Sequence, residues 1–517
     1  MKHPLIIISF LLYFSCSPQE IPLDILLTDA WVFTGQDESP QKLDVGILGD
    51  KIEFIGKASD ANLIPKEIFS AKDHYLAPGF IDPHTHLEGD LSDPEGRANL
   101  SALMQGVTTI IGGNDGGSPL PVGRKLDEWE RNGLGTNVAM FVGHGTIRRV
   151  VMGSSSAVPT PQELEEMETL VKRSMEEGAF GLSTGLFYAP GNFAELDEIL
   201  ALAKVAHSYG GIYDTHMRDE SSYSVGLLAA VEEAIEVGRG TGIPVHISHI
   251  KALGADVWGQ SEEVVKMIEQ ARNKGIIVTA NQYPYFASKT GFQPTVIPRW
   301  AEEGGHEALM QRLHRQESRE RILAEIKDNI RKRGGAQALV FSETSNPELE
   351  GISLKEAAQN LRLSEPEAVV HLVSNERGLG VISYNMVEED LRRFMTQPWV
   401  VTGSDASSGH PRKFGSFARK IGHYSLEKEW MDLSTAIYQS SAQTAAIFGI
   451  EKRGQIKEGY FADLVIFDPN TFRDKATFES PYELATGVTN VFVNGEWVVK
   501  EGVFTSTFAG RTLRKVQ

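Results

Sequence analysis

Six side chains in this sequence could together hold a metal ion and use it to split a bond with water: His84, His86, Asp115, His216, His249 and Asp405. The first two close the run Phe80-Ile81-Asp82-Pro83-His84-Thr85-His86, in which a short apolar stretch delivers a His-x-His pair. Alternate residues of a strand share a face, so His84 and His86 point together as a chelating pair of neutral imidazoles, with Thr85 opposed. The other reading of this pair is a strand end carrying two solvated histidines. Histidines mixed with carboxylates suit Zn2+, as one ion or two, or another divalent metal of similar character, better than Mg2+ or Ca2+, which take all-oxygen shells. Such an ion makes water nucleophilic near neutral pH and polarises a carbonyl, as hydrolysis requires. Asp405 is the candidate to take the proton from water and hand it to the leaving group. Asp115 follows Ile110-Ile111-Gly112-Gly113 and has two readings, a carboxylate bridging two ions or a turn residue in Asn-Asp-Gly-Gly. His246 and His249 are an odd number of residues apart and face opposite ways, and His249 is nearer the strand end. His207, His306, His314 and His371 read as ordinary core or surface histidines.

These residues need a scaffold that gathers the ends of several strands. Apolar runs near residues 81, 109, 139, 181, 213, 246, 278 and 400 alternate with helical patterns. One such helix opens on Thr160-Pro161-Gln162-Glu163, a capping box with proline at the first helical position, and ends at Gly178. Eight strand–helix units predict a (β/α)8 barrel of the TIM type rather than an open doubly wound sheet, with the chemistry at the C-terminal ends of the strands. A mostly helical insertion, about 286–398, separates the seventh and eighth strands and is long enough to form a lid. Residues 24–77 and 450–517 are strand-rich, and Asn494-Gly495 marks a hairpin, so the two chain ends are expected to build one small β domain beside the barrel of residues 78–449.

The string Pro78-Gly79-Phe80-Ile81-Asp82-Pro83-His84-Thr85-His86 resembles the first barrel strand of the amidohydrolase superfamily. Further motifs narrow the likeness: Gln105-Gly106-Val107-Thr108-Thr109, Gly113-Asn114-Asp115-Gly116, Val142-Gly143-His144-Gly145-Thr146 and Gly185-Leu186-Phe187-Tyr188-Ala189-Pro190-Gly191. Thr215-His216-Met217-Arg218, Ser248-His249-Ile250-Lys251, Tyr283-Pro284-Tyr285, Gly403-Ser404-Asp405 and His410-Pro411-Arg412 complete a set similar to the D-aminoacylase family, the N-acyl-D-amino-acid deacylases. The resemblance implies hydrolysis of the N-acyl amide of an N-acyl-D-amino acid, with Lys251, Tyr283, Ser288 and Arg412 holding the substrate, chiefly its α-carboxylate. Tyr188 and His144 are implied to line the same pocket. The chain departs from the family's pattern at Asp115, where members commonly carry cysteine, and at Arg299, which would read an acidic side chain. Three other functions stay open: a dipeptidase acting on a C-terminal D-residue, a cyclic-amide hydrolase of the dihydroorotase or hydantoinase kind, and an inactive surface binding lipoprotein. Residues 178–185 contain no lysine, which counts against the cyclic-amide reading, since those relatives carboxylate a lysine there.

With 69 acidic against 50 basic residues the formal charge is −19, a surface that repels nucleic acid and anionic headgroups, and the resemblance implies a small N-acyl amino acid or short peptide as the partner. The lone cysteine, Cys16, rules out an intramolecular disulfide. It follows the basic start Met1-Lys2-His3 and the apolar run from Leu5 to Phe14, too short to span a bilayer but suited to a signal peptide. Residues 1–16 resemble a bacterial lipoprotein signal, which implies an exported protein, periplasmic or at the cell surface, that touches a membrane only through a lipid on Cys16. Cys16→Ser is therefore expected to move the expressed protein from the membrane fraction to the soluble one. An unchanged distribution on fractionation would refute the lipid anchor.

Overall fold

The computed structural model describes residues 20–36 and 38–515; the signal sequence expected over residues 1–16 lies outside them. Among the described residues no helix is long and apolar enough to cross a membrane. The chain opens with five strands: β1 (Ile21–Val32), β2 (Gln41–Leu48), β3 (Lys51–Gly56), β4 (Leu63–Ser70) and β5 (Tyr75–Pro78). The central α/β region follows: β6 (Phe80–Asp82), β7 (Val107–Gly112), β8 (Asn137–Met140), β9 (Val142–Gly143), β10 (Gly181–Gly185), β11 (Ile212–His216), β12 (Val245–Ile247) and β13 (Val278–Gln282). Then come β14 (Ala287–Gly291), β15 (Leu339–Ser342), β16 (Gly380–Tyr384) and β17 (Val400–Thr402), and finally β18 (Leu464–Phe467), β19 (Val488–Val493), β20 (Glu496–Lys500) and β21 (Val503–Phe504).

The central strands are short and buried on both faces, as in parallel sheets covered by helices. They form two parallel runs, β6-β7-β8 and β9-β10-β11-β12-β13-β17. Only Phe141 separates β8 from β9, and backbone bonds tie the runs there: Phe141 N donates to Gly112 O at 2.9 Å and Phe180 N to Met140 O at 2.9 Å. At the opposite edges, past β6 and β17, Thr85 bridges Ala406 in parallel, Asp405 N donates to His84 O at 3.0 Å, and His86 N donates to Ala406 O at 2.9 Å. The helices between strands follow from local chemistry. Pro161–Glu176 is started by the Thr160–Glu163 capping box and buries Met167, Val171, Ser174 and Met175, one helical stripe, against the sheet.

The segment between β13 and β17 is not only helical. Its strands make an antiparallel sheet of order β14-β16-β15, and Phe292, Leu309, Ile322, Ile326, Phe341 and Val381 share an apolar core of its own. The two chain ends meet in one nine-stranded sheet, β21-β20-β19-β18-β5-β1-β2-β3 with β4 also paired to β1. A buried polar staple fixes this sheet to β8: Asn137 Nδ2 donates to Asp463 at 3.1 Å, and Asn494 Nδ2 donates to Asn137 Oδ1 at 2.8 Å. Residues 508–515 leave that sheet and run along β8, with Gly510 bridging Leu134 and Thr512 bridging Val138.

Asn494 and Gly495 join β19 to β20 with φ of 50° and 83°, the two left-handed residues that a tight hairpin matching the strand twist requires. A Cβ on Gly495 would lie 2.0 Å from Gly49 O, backbone that cannot swing away. Gly495→Ala should therefore destabilise the fold by about 2 kcal/mol or more, read as a lowered denaturation midpoint. An unshifted midpoint would show that this turn is not under constraint.

Candidate metal centre and substrate pocket

Each of the six metal-capable residues sits just beyond a strand end or closes one. His84 and His86 follow β6, Asp115 follows β7, His216 closes β11, His249 lies past β12 and Asp405 past β17. Strand alternation does not aim Asp115, His249 and Asp405, which lie beyond the ends of β7, β12 and β17. Backbone reversal does: Asp115, His249 and Asp405 are left-handed, with φ of 54°, 34° and 50°. Non-glycine residues adopt this region at a cost of about 1–2 kcal/mol, and such strain collects at working sites. His246 stays in the wall, its Nδ1 at 2.8 Å from Thr279 Oγ1 and its Nε2 accepting from Asn281 Nδ2 at 2.9 Å.

The result is a single cluster around Asp115. Its Oδ1 lies 3.4 Å from His84 Nε2 and 3.4 Å from His249 Nε2, and its Oδ2 lies 3.3 Å from His86 Nε2 and 3.5 Å from His216 Nδ1. Asp405 Oδ1 stands 3.3 Å from His86 Nε2. Donor atoms of His84, His86, Asp115 and Asp405 lie within 4.8 Å of one another, as do those of Asp115, His216 and His249. Both ring nitrogens of His84 and Asp115 Oδ1 are buried without a hydrogen-bond partner. A cation supplies what those lone pairs lack, and this donor set of imidazoles and carboxylates fits zinc or a similar ion.

The electrostatics agree with that fit. Burial pushes His84 down to about 4 against the pull of Asp115, leaving a neutral imidazole with free lone pairs. Burial and the Lys251 ammonium press His249 the same way, but the Asp115 and Glu220 carboxylates outweigh them and lift it to about 9. Burial disfavours the charge on Asp405, yet Arg412 and His249 hold its carboxyl far below the usual carboxylate range. The site carries a surplus of negative charge that a proton or a metal ion relieves.

The cluster floors a cavity of about 670 Å³. Tyr188, Lys251, Tyr283, Ser288 and Arg412 line it. Arg412 Nη1 lies 2.7 Å from Asp405 Oδ2 while its Nε is unpartnered, and Ser288 Oγ is buried without a partner. Tyr188 OH meets Thr290 Oγ1 at 2.9 Å, and Tyr283 OH donates to Met386 Sδ at 3.9 Å. His144 is not among the residues that line this cavity; it is fully buried, its Nε2 2.7 Å from Glu198 Oε1. It opens the helix His144–Met152, whose Arg148 pairs with the same Glu198. Lys251 is already matched by Glu220, with Nζ 2.6 Å from Oε1.

Glu220 is the site residue that sequence reasoning missed. Its Oε1 is 3.1 Å from His249 Nδ1 and its Oε2 3.7 Å from His216 Nε2, so one carboxylate faces the outer nitrogens of two clustered histidines. The signal available was a carboxylate four residues beyond a strand-end histidine, in His-Met-Arg-Asp-Glu. Carboxylates so placed fix the tautomer and orientation of metal-binding imidazoles.

Comparison with known proteins places this geometry. A model of the amidohydrolase family matches residues 67–499. The chain is 33% identical over 521 residues to a D-aminoacylase of Alcaligenes xylosoxydans xylosoxydans, covering 96% of this chain and 98% of that protein. It is 31% identical to an N-acyl-D-glutamate deacylase of the same organism, with 95% and 97% covered. Among solved structures, an N-acyl-D-glutamate deacylase from Bordetella bronchiseptica complexed with zinc and a phosphonate inhibitor superposes with a TM-score of 0.81 at 29% identity, over 96% of this chain and 100% of that one.

Asp115→Ala removes the one group that touches all four histidines, and Glu220→Gln removes only a supporting charge. Titration of divalent metal into apoprotein against a competing chelator should show lost stoichiometry in the first. The second should keep the stoichiometry with affinity weakened about 10- to 100-fold. Wild-type affinity in both variants would dissolve the assignment.

Proposed function

The chain belongs to the amidohydrolase family, and we propose that it is a zinc-type metal-dependent hydrolase that cleaves the N-acyl amide of N-acyl-D-amino acids to a carboxylate and a free D-amino acid. The observation that carries this reading is Asp405, whose one oxygen faces the histidine cluster while the other meets Arg412 at 2.7 Å. A water-activating centre and a cation for a carboxylate thus share one side chain at the floor of one cavity.

His84, His86, Asp115 and Asp405 would hold one ion, and Asp115, His216 and His249 a second. A bound ion supplies Lewis acidity, making water nucleophilic near neutral pH and polarising the scissile carbonyl. The chain's own groups do the rest. Asp405, kept ionised by Arg412, accepts the proton of the attacking water and returns it to the nitrogen as the C–N bond breaks. Arg412, Ser288 and Tyr283 hold donors that the chain leaves without a close acceptor, and they orient the substrate through its α-carboxylate. Lys251 contributes less directly than the sequence suggests, because Glu220 already balances its charge.

The same proposal closes the central strands into a (β/α)8 barrel, supported by their parallel order and the Thr85–Ala406 bridge. A small β domain from both chain ends, a barrel over residues 78–449, and export with a lipid on Cys16 belong to it as well. The cyclic-amide alternative finds no lysine on β10, Gly-Leu-Ser-Thr-Gly.

Zinc-loaded protein should hydrolyse N-acetyl-D-amino acids far faster than their L-enantiomers or X-D-amino-acid dipeptides. Asp405→Asn should lower turnover by about 100-fold or more with the fold intact. Preference for L-substrates or for dipeptides, or a fully active Asp405→Asn, would reject the mechanism.

A further inference from the structure

Overall identities of 33% to a D-aminoacylase and 31% to an N-acyl-D-glutamate deacylase do not choose between neutral and acidic substrates. The charges on the cavity wall do. Among the described residues five cations line it: Arg149, Lys251, Lys289, Arg333 and Arg412. Lys251 is paired with Glu220, Lys289 with Glu343, and Arg412 with Asp405. Arg149 is exposed at the rim and donates to Ala189 O at 3.2 Å. Arg333 alone is buried, 2% exposed, with no carboxylate of the described chain within ion-pair distance.

Its surroundings are those of a binding group rather than a structural one. Arg333 caps the helix Gln316–Lys332 and reaches back over two aromatic rings that also line the cavity, 5.2 Å from the Tyr223 centroid and 5.8 Å from that of Phe187. Its Nε donates to Tyr223 OH and its Nη1 to Ser383 Oγ at 3.4 Å, while its Nη2 has no acceptor among the described residues. The rings offset part of the cost of the buried charge, but without a counter-ion most of that cost stands. Phe187 in turn lies 5.6 Å from the His216 ring, so this wall stands beside the metal cluster, whereas Arg412 stands at Asp405. Arg299 lies nearer the Phe187 ring, 4.0 Å from its centroid, but it is outside the cavity lining and paired with Glu302 at 3.0 Å, with further donors spent on Ile297 O and Pro294 O.

We propose that Arg333 binds a second carboxylate of the substrate, so that the preferred substrates are dianionic N-acyl-D-amino acids. This rests on the deacylase reading above. The guanidinium fork matches a carboxylate in plane, and a neutral group there leaves the fork unpaired. The second carboxylate belongs either to an acidic side chain or to the acyl group, and the two are separable.

The test uses zinc-loaded protein and kcat/KM for matched pairs: N-acetyl-D-glutamate against N-acetyl-D-glutamine, and N-succinyl-D-leucine against N-butyryl-D-leucine. Wild type should favour the acid of one pair by about 30- to 100-fold, and the pair that does so names the source. Arg333→Gln should collapse that ratio to within a few-fold of one, and Arg333→Lys should restore part of it. A ratio near one in wild type in both pairs, or the same ratio in wild type and Arg333→Gln, overturns the inference while leaving deacylation standing. No hydrolysis of any N-acyl-D-amino acid removes the underlying reading and this one with it.

Discussion

Four imidazoles and two carboxylates converge within a few ångströms in a place largely closed to water, and the rest of the structure answers to that crowding. The carboxylates attract the imidazoles that carry a proton, as at His249, but the close spacing of all six is imposed by the strands that carry them. The imposition is visible in the tethers between strand ends. Asp82 Oδ1 accepts from both Ser404 N at 3.0 Å and His84 N at 3.2 Å, joining the ends that bear His84 and Asp405. Thr85 Oγ1 donates to Ile111 O at 2.9 Å, which fixes the first histidine pair against the strand that leads to Asp115. Asn281 Oδ1 accepts from His249 N at 2.9 Å. Burial lifts Asp82 and Asp214, which brace the cluster, to about 7, so the bracing is itself bought against desolvation.

The left-handed backbone at Asp115, His249 and Asp405 belongs to the same problem. A strand that simply continued would carry its next side chain past the centre. One residue of reversed twist turns it inward instead, and the surrounding bonds hold that twist in place. Glycines supply the room: a Cβ on Gly116 would stand 2.7 Å from Gly185 N, and one on Gly113 would stand 2.4 Å from Phe141 O. Close backbone approach and strained ligand residues are thus two consequences of one packed centre.

What the sequence discloses follows from what repeats locally. Every strand near the expected positions exists, because buried parallel strands are short continuous apolar runs bounded by glycine and polar residues. The Thr160–Glu163 box and the Asn494-Gly495 turn are equally local and equally readable. The six donors could be gathered because each lies at the close of an apolar run. His144 also lies there, and the geometry sends it elsewhere: the helix that it opens aims it at Glu198. Glu220 and Arg333 were not legible. Glu220 has one local cue, His216 four residues before it, but its other partners His249 and Lys251, like Tyr223 and Ser383 for Arg333, lie 29 or more residues away, and no spacing announces those contacts.

The pairing of charges explains why the cavity can be both a metal centre and an anion trap. Lys251 is tied to Glu220, which faces His216 and His249, and Arg412 is tied to Asp405, which faces His84 and His86. Each half of the cluster therefore has its own cation on the cavity side. Without those cations the carboxylates would repel an incoming carboxylate; without the carboxylates the cations would hold it too far from the histidines. Removing one partner of such a buried pair costs about 3–5 kcal/mol, because the other is left charged and dry. Under the proposed function, the chain would couple substrate anchoring to ligand orientation through two side-chain pairs. Arg333, outside both pairs, is the cation whose charge no carboxylate of the described chain has claimed.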